Sequence, residues 1–170
     1  MKKSLVLFVA AILALALVGC SQAAPSSPST YAPSASTQQG APSAKSVWDS
    51  TLVSGAYKSW STAPGFETTQ PAKGPHGKSV QVFVDPTIMD TLNGSAAAAW
   101  PVGGMIVKDA YDANNAPVAI EFMQKTDQGW YFASYGMDGT VSKEGVKVEP
   151  CEGCHAKNSS DGVKSFKLPQ

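Results

Sequence analysis

Two periodicities divide the chain. In "SVWDSTLVSGAYKSWST", Trp48, Leu52, Ala56 and Trp60 recur at four-residue intervals with Val53 and Tyr57 beside them, which predicts a helical stripe. The texture then changes to short alternating runs broken by Gly, Pro and Asn. In "SVQVFVD", Val80, Val82 and Val84 face one way while Gln81 and Phe83 face the other, the pattern of a strand. "GGMIVKD", "PVAIEFMQK" and "GWYFASY" repeat that texture as further antiparallel strands. A short helix from Pro86 to about Leu92 links the first two, and "SAAAAW" belongs to the same connection. From Pro150 a last helix opens with proline at its first position. The expected fold class is mainly β (α+β): an antiparallel β-sheet with an N-terminal helix and a short C-terminal helix.

The start of the chain reads differently. Lys2 and Lys3 precede an apolar run from Leu5 to Val18 that is too short and wrongly flanked for a stable membrane span, so residues 1–19 are expected to be an export signal. The run ends in Leu17-Val18-Gly19-Cys20, which resembles the bacterial lipobox, where the Cys20 thiol takes a diacylglyceryl group. A secretory signal cut near Ala23 or Ala24 is the alternative. Acyl chains contribute about 0.8 kcal/mol per buried methylene, enough to anchor a protein through lipid alone. Ser21 in place of a retention signal sends such a lipoprotein to the outer membrane, facing the periplasm, if enterobacterial sorting applies. Residues 20–45, rich in Ala, Ser, Pro, Thr and Gln, cannot bury a core and are expected to form a tether. Residues 46–170 then make one domain.

Charge narrows the partners. The precursor has 13 Lys and 13 Asp+Glu, and loss of Lys2 and Lys3 leaves 11 lysines against 13 acids, a formal −2. No nucleic-acid partner is implied. Arginine is absent, so no guanidinium fork can clamp a carboxylate or phosphate, and small substrates without such groups fit better. "AKGPHGKS", residues 72–79, matches a relaxed phosphate-loop pattern, but a strand follows it where a phosphate loop needs a helix.

Lipidation of Cys20 leaves two cysteines for the domain, in "PCEGCHA". Cys151-Glu152-Gly153-Cys154-His155 reads as a c-type haem attachment site, C-x-x-C-H. Two thiols three residues apart reach the two vinyl groups, and the next imidazole lies under the iron. Zinc would need four ligands, and the domain offers beyond these three only His76. A thioredoxin-like bridge would sit early, after a strand; a chance match in a structural lipoprotein is the remaining rival. One covalent haem c per chain is the expectation, with His155 as proximal iron ligand. The segment after His155, "AKNSSDGVKSFKLPQ", has neither Met nor His, so a sixth ligand must come from upstream. Met89, Met105, Met123, Met137 and His76 are the candidates, and an open distal side is the default.

The run of segments from "AYKSW" through "QVFVDP", "GGMIVKDAY", "IEFMQK" and "GWYFASYG" to "CEGCH" resembles the cytochrome P-460 family, which includes the cytochromes c-prime-beta. The resemblance implies a mainly antiparallel sheet with a five-coordinate c-haem on the C-terminal motif. It implies that Lys108 matches the lysine cross-linked to a haem meso carbon in hydroxylamine-oxidising members. Glu121 matches a carboxylate over the iron that accepts protons from bound substrate, work suited to a partly desolvated acid. If so, Ala119 and Met123 should share its wall; the bland alternatives are a solvated lysine and an outward-pointing glutamate. In gas-binding relatives aromatic side chains roof the iron, a place for Phe83 or Phe122 here. The expected function is therefore an oxidoreductase acting on hydroxylamine with a soluble cytochrome as redox partner, or a binder of nitric oxide, and a homodimer is allowed for. The other class is an electron-transfer cytochrome c closed by a Met or His sixth ligand.

Overall fold

A computed structural model of the protein describes residues 41–157 and 159–170. The expected export signal, Cys20 and most of the tether lie outside the described residues.

The N-terminal helical stripe is interrupted. Ser43 caps α1 (Ala44–Val47): its hydroxyl accepts from Ser46 N, and the Ser46 hydroxyl is returned to the cap. The coil then widens to a π-type turn over Trp48–Leu52. Gly55 breaks it in the left-handed region at φ 69°, where a side chain would be strained, and Ala56–Ser59 make one tight 3₁₀ turn. The break rotates the stripe. Leu52 and Tyr57 are buried, whereas Val53, predicted beside them, is exposed.

Seven strands form one antiparallel sheet: β1 (Ser61–Thr62), β2 (Gln70–Pro71), β3 (Ser79–Val84), β4 (Met105–Tyr111), β5 (Pro117–Thr126), β6 (Gly129–Tyr135) and β7 (Val141–Val146). β3, β4, β5, β6 and β7 lie side by side in chain order, while β1 and β2 share the outer edge of β3, one pairing with each half of it. Helix α2 (Pro86–Asn93) connects β3 to β4. Its cap is Asp85, whose carboxylate accepts from Ile88 N, and Pro86 stands at the start where its missing N–H costs nothing. Helix α3 (Cys151–His155) follows β7, with Pro150 as its cap residue, one position earlier than predicted.

Registration aligns side chains across the sheet. Val82, Lys108, Glu121, Ser134 and Lys143 are successive cross-strand partners, and so are Val84, Ile106, Met123, Phe132 and Gly145. Directly opposed residues share a face, so these two rows belong to one side. Against the second row packs a core of Ile88, Trp100, Trp130, Val163, Phe166 and Leu168. The other side carries Phe83, Val107, Phe122, Tyr131 and Tyr135 under the N-terminal turns, with Val47, Leu52 and Tyr57 facing them. Phe83 and Phe122, expected as aromatic roofs over the motif's cavity, thus have their rings behind the sheet: Phe122 meets Tyr131 edge-on at 6.5 Å and Phe83 meets Tyr57 at 5.6 Å. The period of two decides this, since each is the chain neighbour of a residue on the opposite row.

Candidate functional site

Five residues of α3 carry the motif, and one turn of helix is enough to arrange it. Cys151 and Cys154 are three apart, hence on one face, and His155 follows immediately. Both cysteines are free thiols and both line a cavity of about 270 Å³ between α3 and the first of the two rows. A second hollow of about 520 Å³ shares His76, Lys108, Cys154 and His155 with it. Together they reach the size of cofactor pockets, roughly 300–1,000 Å³.

The sheet supplies one wall. Lys108, Glu121 and Ser134 point into the cavity from β4, β5 and β6, with Met123 and Phe132 beside them. Ser134 donates its hydroxyl to Glu121 Oε1 at 3.1 Å. Glu121 thus does not point outward as in the bland alternative: its side chain lines the cavity and keeps 21% of its exposure. Burial pushes the Lys108 ammonium below its ordinary value, and the charge of Glu121 partly opposes that. Ala119, expected to share this wall, does not line the cavity and pairs with Ala110 beyond it.

His155 is held from behind. Its Nδ1 lies 2.8 Å from the Gly162 carbonyl oxygen. A carbonyl only accepts, so Nδ1 carries the proton and Nε2 keeps its lone pair for a metal. Burial pushes the imidazole below its ordinary value, which keeps the ring neutral and ready to ligate. Phe132 meets the ring edge-on at 5.1 Å.

The carbonyl is itself clamped. Asp161 takes both Oδ atoms to Lys125 Nζ at 2.7 Å, and one of them also accepts from Trp100 N at 2.8 Å. Trp130 Nε1 donates to Asp161 O at 2.6 Å. Gly162 has φ 82°, and a Cβ there would stand 2.4 Å from Trp130 Cδ1. Only glycine fits. Sequence reasoning passed over Ser134, Lys125, Asp161 and Gly162; the Asp-Gly pair in "SSDGVKS" marks a turn but does not say what the turn holds.

His76 completes the site from the β2–β3 loop. Lys78 N donates to Tyr111 O at 2.7 Å and Ala72 N to Lys78 O at 2.9 Å, which closes the loop against β4. Gly77, at φ 74°, passes so near β4 that a Cβ would lie 2.6 Å from Tyr111 O. The stretch is a hairpin loop and opens no helix, which removes the phosphate-loop alternative. His76 Nδ1 ends 3.4 Å from Glu121 Oε1, and its ring centre lies 6.4 Å from that of His155. Of the methionines weighed as iron ligands, Met123 lines the cavity, Met89 packs against the core on that side, Met105 packs behind the sheet, and Met137 is exposed.

Two free thiols, a neutral imidazole with an open Nε2 and an apolar cavity are the donor set of a covalently attached haem. Among the described residues no group of three or more His, Cys, Asp or Glu side chains is arranged to hold a bare metal ion. A search of the curated proteins finds no match to this sequence. The family model for cytochrome P460 matches residues 55–163, from the turn after Gly55 to the loop behind His155. The chain belongs to the cytochrome P460 family, whose cofactor is covalently bound haem c.

Proposed function

We propose that this cytochrome binds a small nitrogen compound, hydroxylamine or nitric oxide, on the side of the haem facing Glu121, and oxidises it where that compound is hydroxylamine. The observation that carries this reading is the polar row Lys108–Glu121–Ser134 beside the apolar Ile106–Met123–Phe132 row, across the cavity from His155. Cys151 and Cys154 would hold the macrocycle as thioethers, and His155 would ligate the iron through Nε2. The haem supplies a ligand position and one-electron redox capacity.

The remaining chemistry belongs to the chain. Hydroxylamine loses protons along with electrons, and Glu121 is the nearest carboxylate to receive them. Ser134 holds one of its oxygens in place, and His76 stands next along a path outward. Lys108, which lines the cavity from β4, would bond to the macrocycle edge. Electrons leave to a soluble cytochrome. The Leu17-Val18-Gly19-Cys20 sequence supports export and a lipid anchor at Cys20, with the domain in the periplasm beside such a partner.

Protease digestion of the mature protein tests the oxidising branch. It should release a haem peptide joined to both the Cys151 segment and the Lys108 segment. A haem peptide with the Cys151 segment alone assigns the protein to nitric oxide capture. The second reading, an electron-transfer cytochrome with a permanent sixth ligand, draws on Met123 and His76 lining the cavity. Reduced protein that refuses carbon monoxide would establish it in place of the first.

A further inference from the structure

We propose that the surface around Cys154 is where an electron leaves the protein, and that it docks an electron carrier whose face is rich in carboxylates. The inference rests on the reading that electrons pass from the haem to a soluble protein, and it adds the place of contact and the charge of the partner.

Exposure comes first. Of the three residues that would bond the cofactor, Cys151 and His155 are half-buried and Cys154 is exposed. A macrocycle bonded to the Cys154 sulfur would have its thioether edge nearer to solvent there than at Cys151. Electron transfer falls off steeply with distance, so a partner gains most by sitting on that edge.

Charge comes second. Lys164 reaches over from the C-terminal segment, with Nζ 3.2 Å from Cys154 O and 3.8 Å from its Sγ. Lys157, also exposed, follows one turn on, its N–H donating to Cys154 O at 3.3 Å. Lys73, on the β2–β3 loop, lines the second hollow together with Cys154 and Lys164, and among the described residues that line this hollow there is no Asp or Glu. The nearby carboxylates are turned elsewhere. Glu149 lies against Gly153 on the Cys151 side, Glu152 is two residues from Cys154 and so on another face of the turn, and Glu67 folds back onto Gly65 N at 3.0 Å. From Cys20 onward the chain has 11 lysines against 13 acids, so this surface inverts the sign of the whole.

Ammonium groups on flexible stems are strongly hydrated point charges, which steer an approaching partner and release it again. That suits electron-transfer encounters, which bury less than about 1,200 Å². In the step itself one electron passes from the haem iron, which is oxidised, to an oxidised centre of the partner, which is reduced; no bond forms or breaks.

Stopped-flow oxidation of the ferrous holoprotein tests this, after a covalent haem stain. The probes are hexacyanoferrate(III), an anion, and tris(phenanthroline)cobalt(III), a cation, while poly-L-glutamate stands in for an acidic protein face. In wild type the anion should react fast at low salt and more slowly as salt rises, and poly-L-glutamate should compete with it. Lys157→Glu combined with Lys164→Glu should slow the anion about tenfold at low salt, speed the cation and abolish the competition, with carbon monoxide binding unchanged. Lys73→Glu, on a separate loop, should act in the same direction, which keeps the test decisive if the double change disturbs α3. Lys45→Glu, exposed on the other side of the sheet, should alter neither rate by more than about twofold. Equal rates in wild type and the three lysine positions' variants, for both probes, overturn the docking surface and leave the haem reading standing. Competition by poly-L-glutamate that survives in all of them puts the partner elsewhere and overturns it too. A blank haem stain overturns both.

Discussion

The two sides of the sheet are built from the same strands and end in different states. Behind it, Phe83, Val107, Phe122, Tyr131 and Tyr135 are all buried under the N-terminal turns. A buried acid there, Asp109, accepts from the Tyr57 hydroxyl at 2.6 Å and faces Lys58 at 3.3 Å. In front, the Ile106–Met123–Phe132 row joins a core with Trp100 and the C-terminal tail as well as lining the cavity, whereas the Lys108–Glu121–Ser134 row beside it faces the cavity alone. An apolar residue at each of these positions would have extended the core at about 25 cal/mol per Å² buried. The front has given up that stabilisation along this line, which lies across the cavity from His155. Both sides therefore carry a buried core, the chemistry lies in front, and a step of one residue along a strand crosses from one side to the other.

Adjacent residues of β5 put that division to its hardest test. Phe122→Ala should cost about 3–5 kcal/mol in denaturant unfolding, the usual range for deleting a buried ring. The optical spectrum of the protein that remains folded should be unchanged. Glu121→Ala should leave the unfolding midpoint nearly unmoved and slow hydroxylamine turnover by about 10²-fold or more, the contribution of a positioned base. Nitric oxide binding should stay within a few-fold. Equal loss of turnover and nitric oxide binding would make Glu121 architectural and dissolve the distinction between the rows.

A smaller effect is expected where the front's two halves meet. Asp161→Ala removes the partner of Lys125 and Trp100 N, costing about 1–3 kcal/mol for groups left without a hydrogen bond. Because the Gly162 carbonyl holds His155 Nδ1, the same change should also alter the iron–histidine stretching frequency in the Raman spectrum. A stability loss with an unmoved frequency would mean that the clamp serves the core and not the ligand.

Much of this was legible from residue order, and the reasons are physical. Alternation in "SVQVFVD" and "IEFMQK" fixes strands because the pleat has a period of two, and C-x-x-C-H fixes its own chemistry through covalent reach. The short β7, "VSKEGV", escaped because its residues are mostly exposed at a sheet edge and carry no apolar period. The helical stripe failed at Gly55, where one left-handed residue outweighs a four-residue spacing. Which side of β5 faces the cavity was undecidable locally, since Glu121 alternates with Ile120 and Phe122 in a sheet covered on both sides. Only the register with Lys108 and Ser134 resolves it. His76 was visible as a candidate, but its distance from His155 depends on Gly77 meeting Tyr111, a contact between segments far apart in sequence.

The edge of the rear side offers the mildest perturbation. Glu144 on β7 accepts from Ala44 N at 2.7 Å and from the Tyr131 hydroxyl at 2.8 Å, while the Tyr135 hydroxyl donates to Ala44 O at 3.0 Å. These bonds fasten α1 to the sheet. The Ala44 N–H first, then Tyr131, hold the Glu144 carboxyl below its ordinary value of 4.5. A carboxylate lowered in the folded state binds fewer protons there than when unfolded, so its contribution is whole above about pH 4.5 and disappears as the pH falls through the lowered value. Glu144 is largely exposed, and solvent screens the effect. Glu144→Gln should therefore lower the melting temperature by only about a degree or two at pH 7, and wild type and variant should converge in acid. The haem spectrum should not register the change at either pH, because α1 and the cavity lie on opposite sides of the sheet. A spectral shift would show that the rear side reaches the iron.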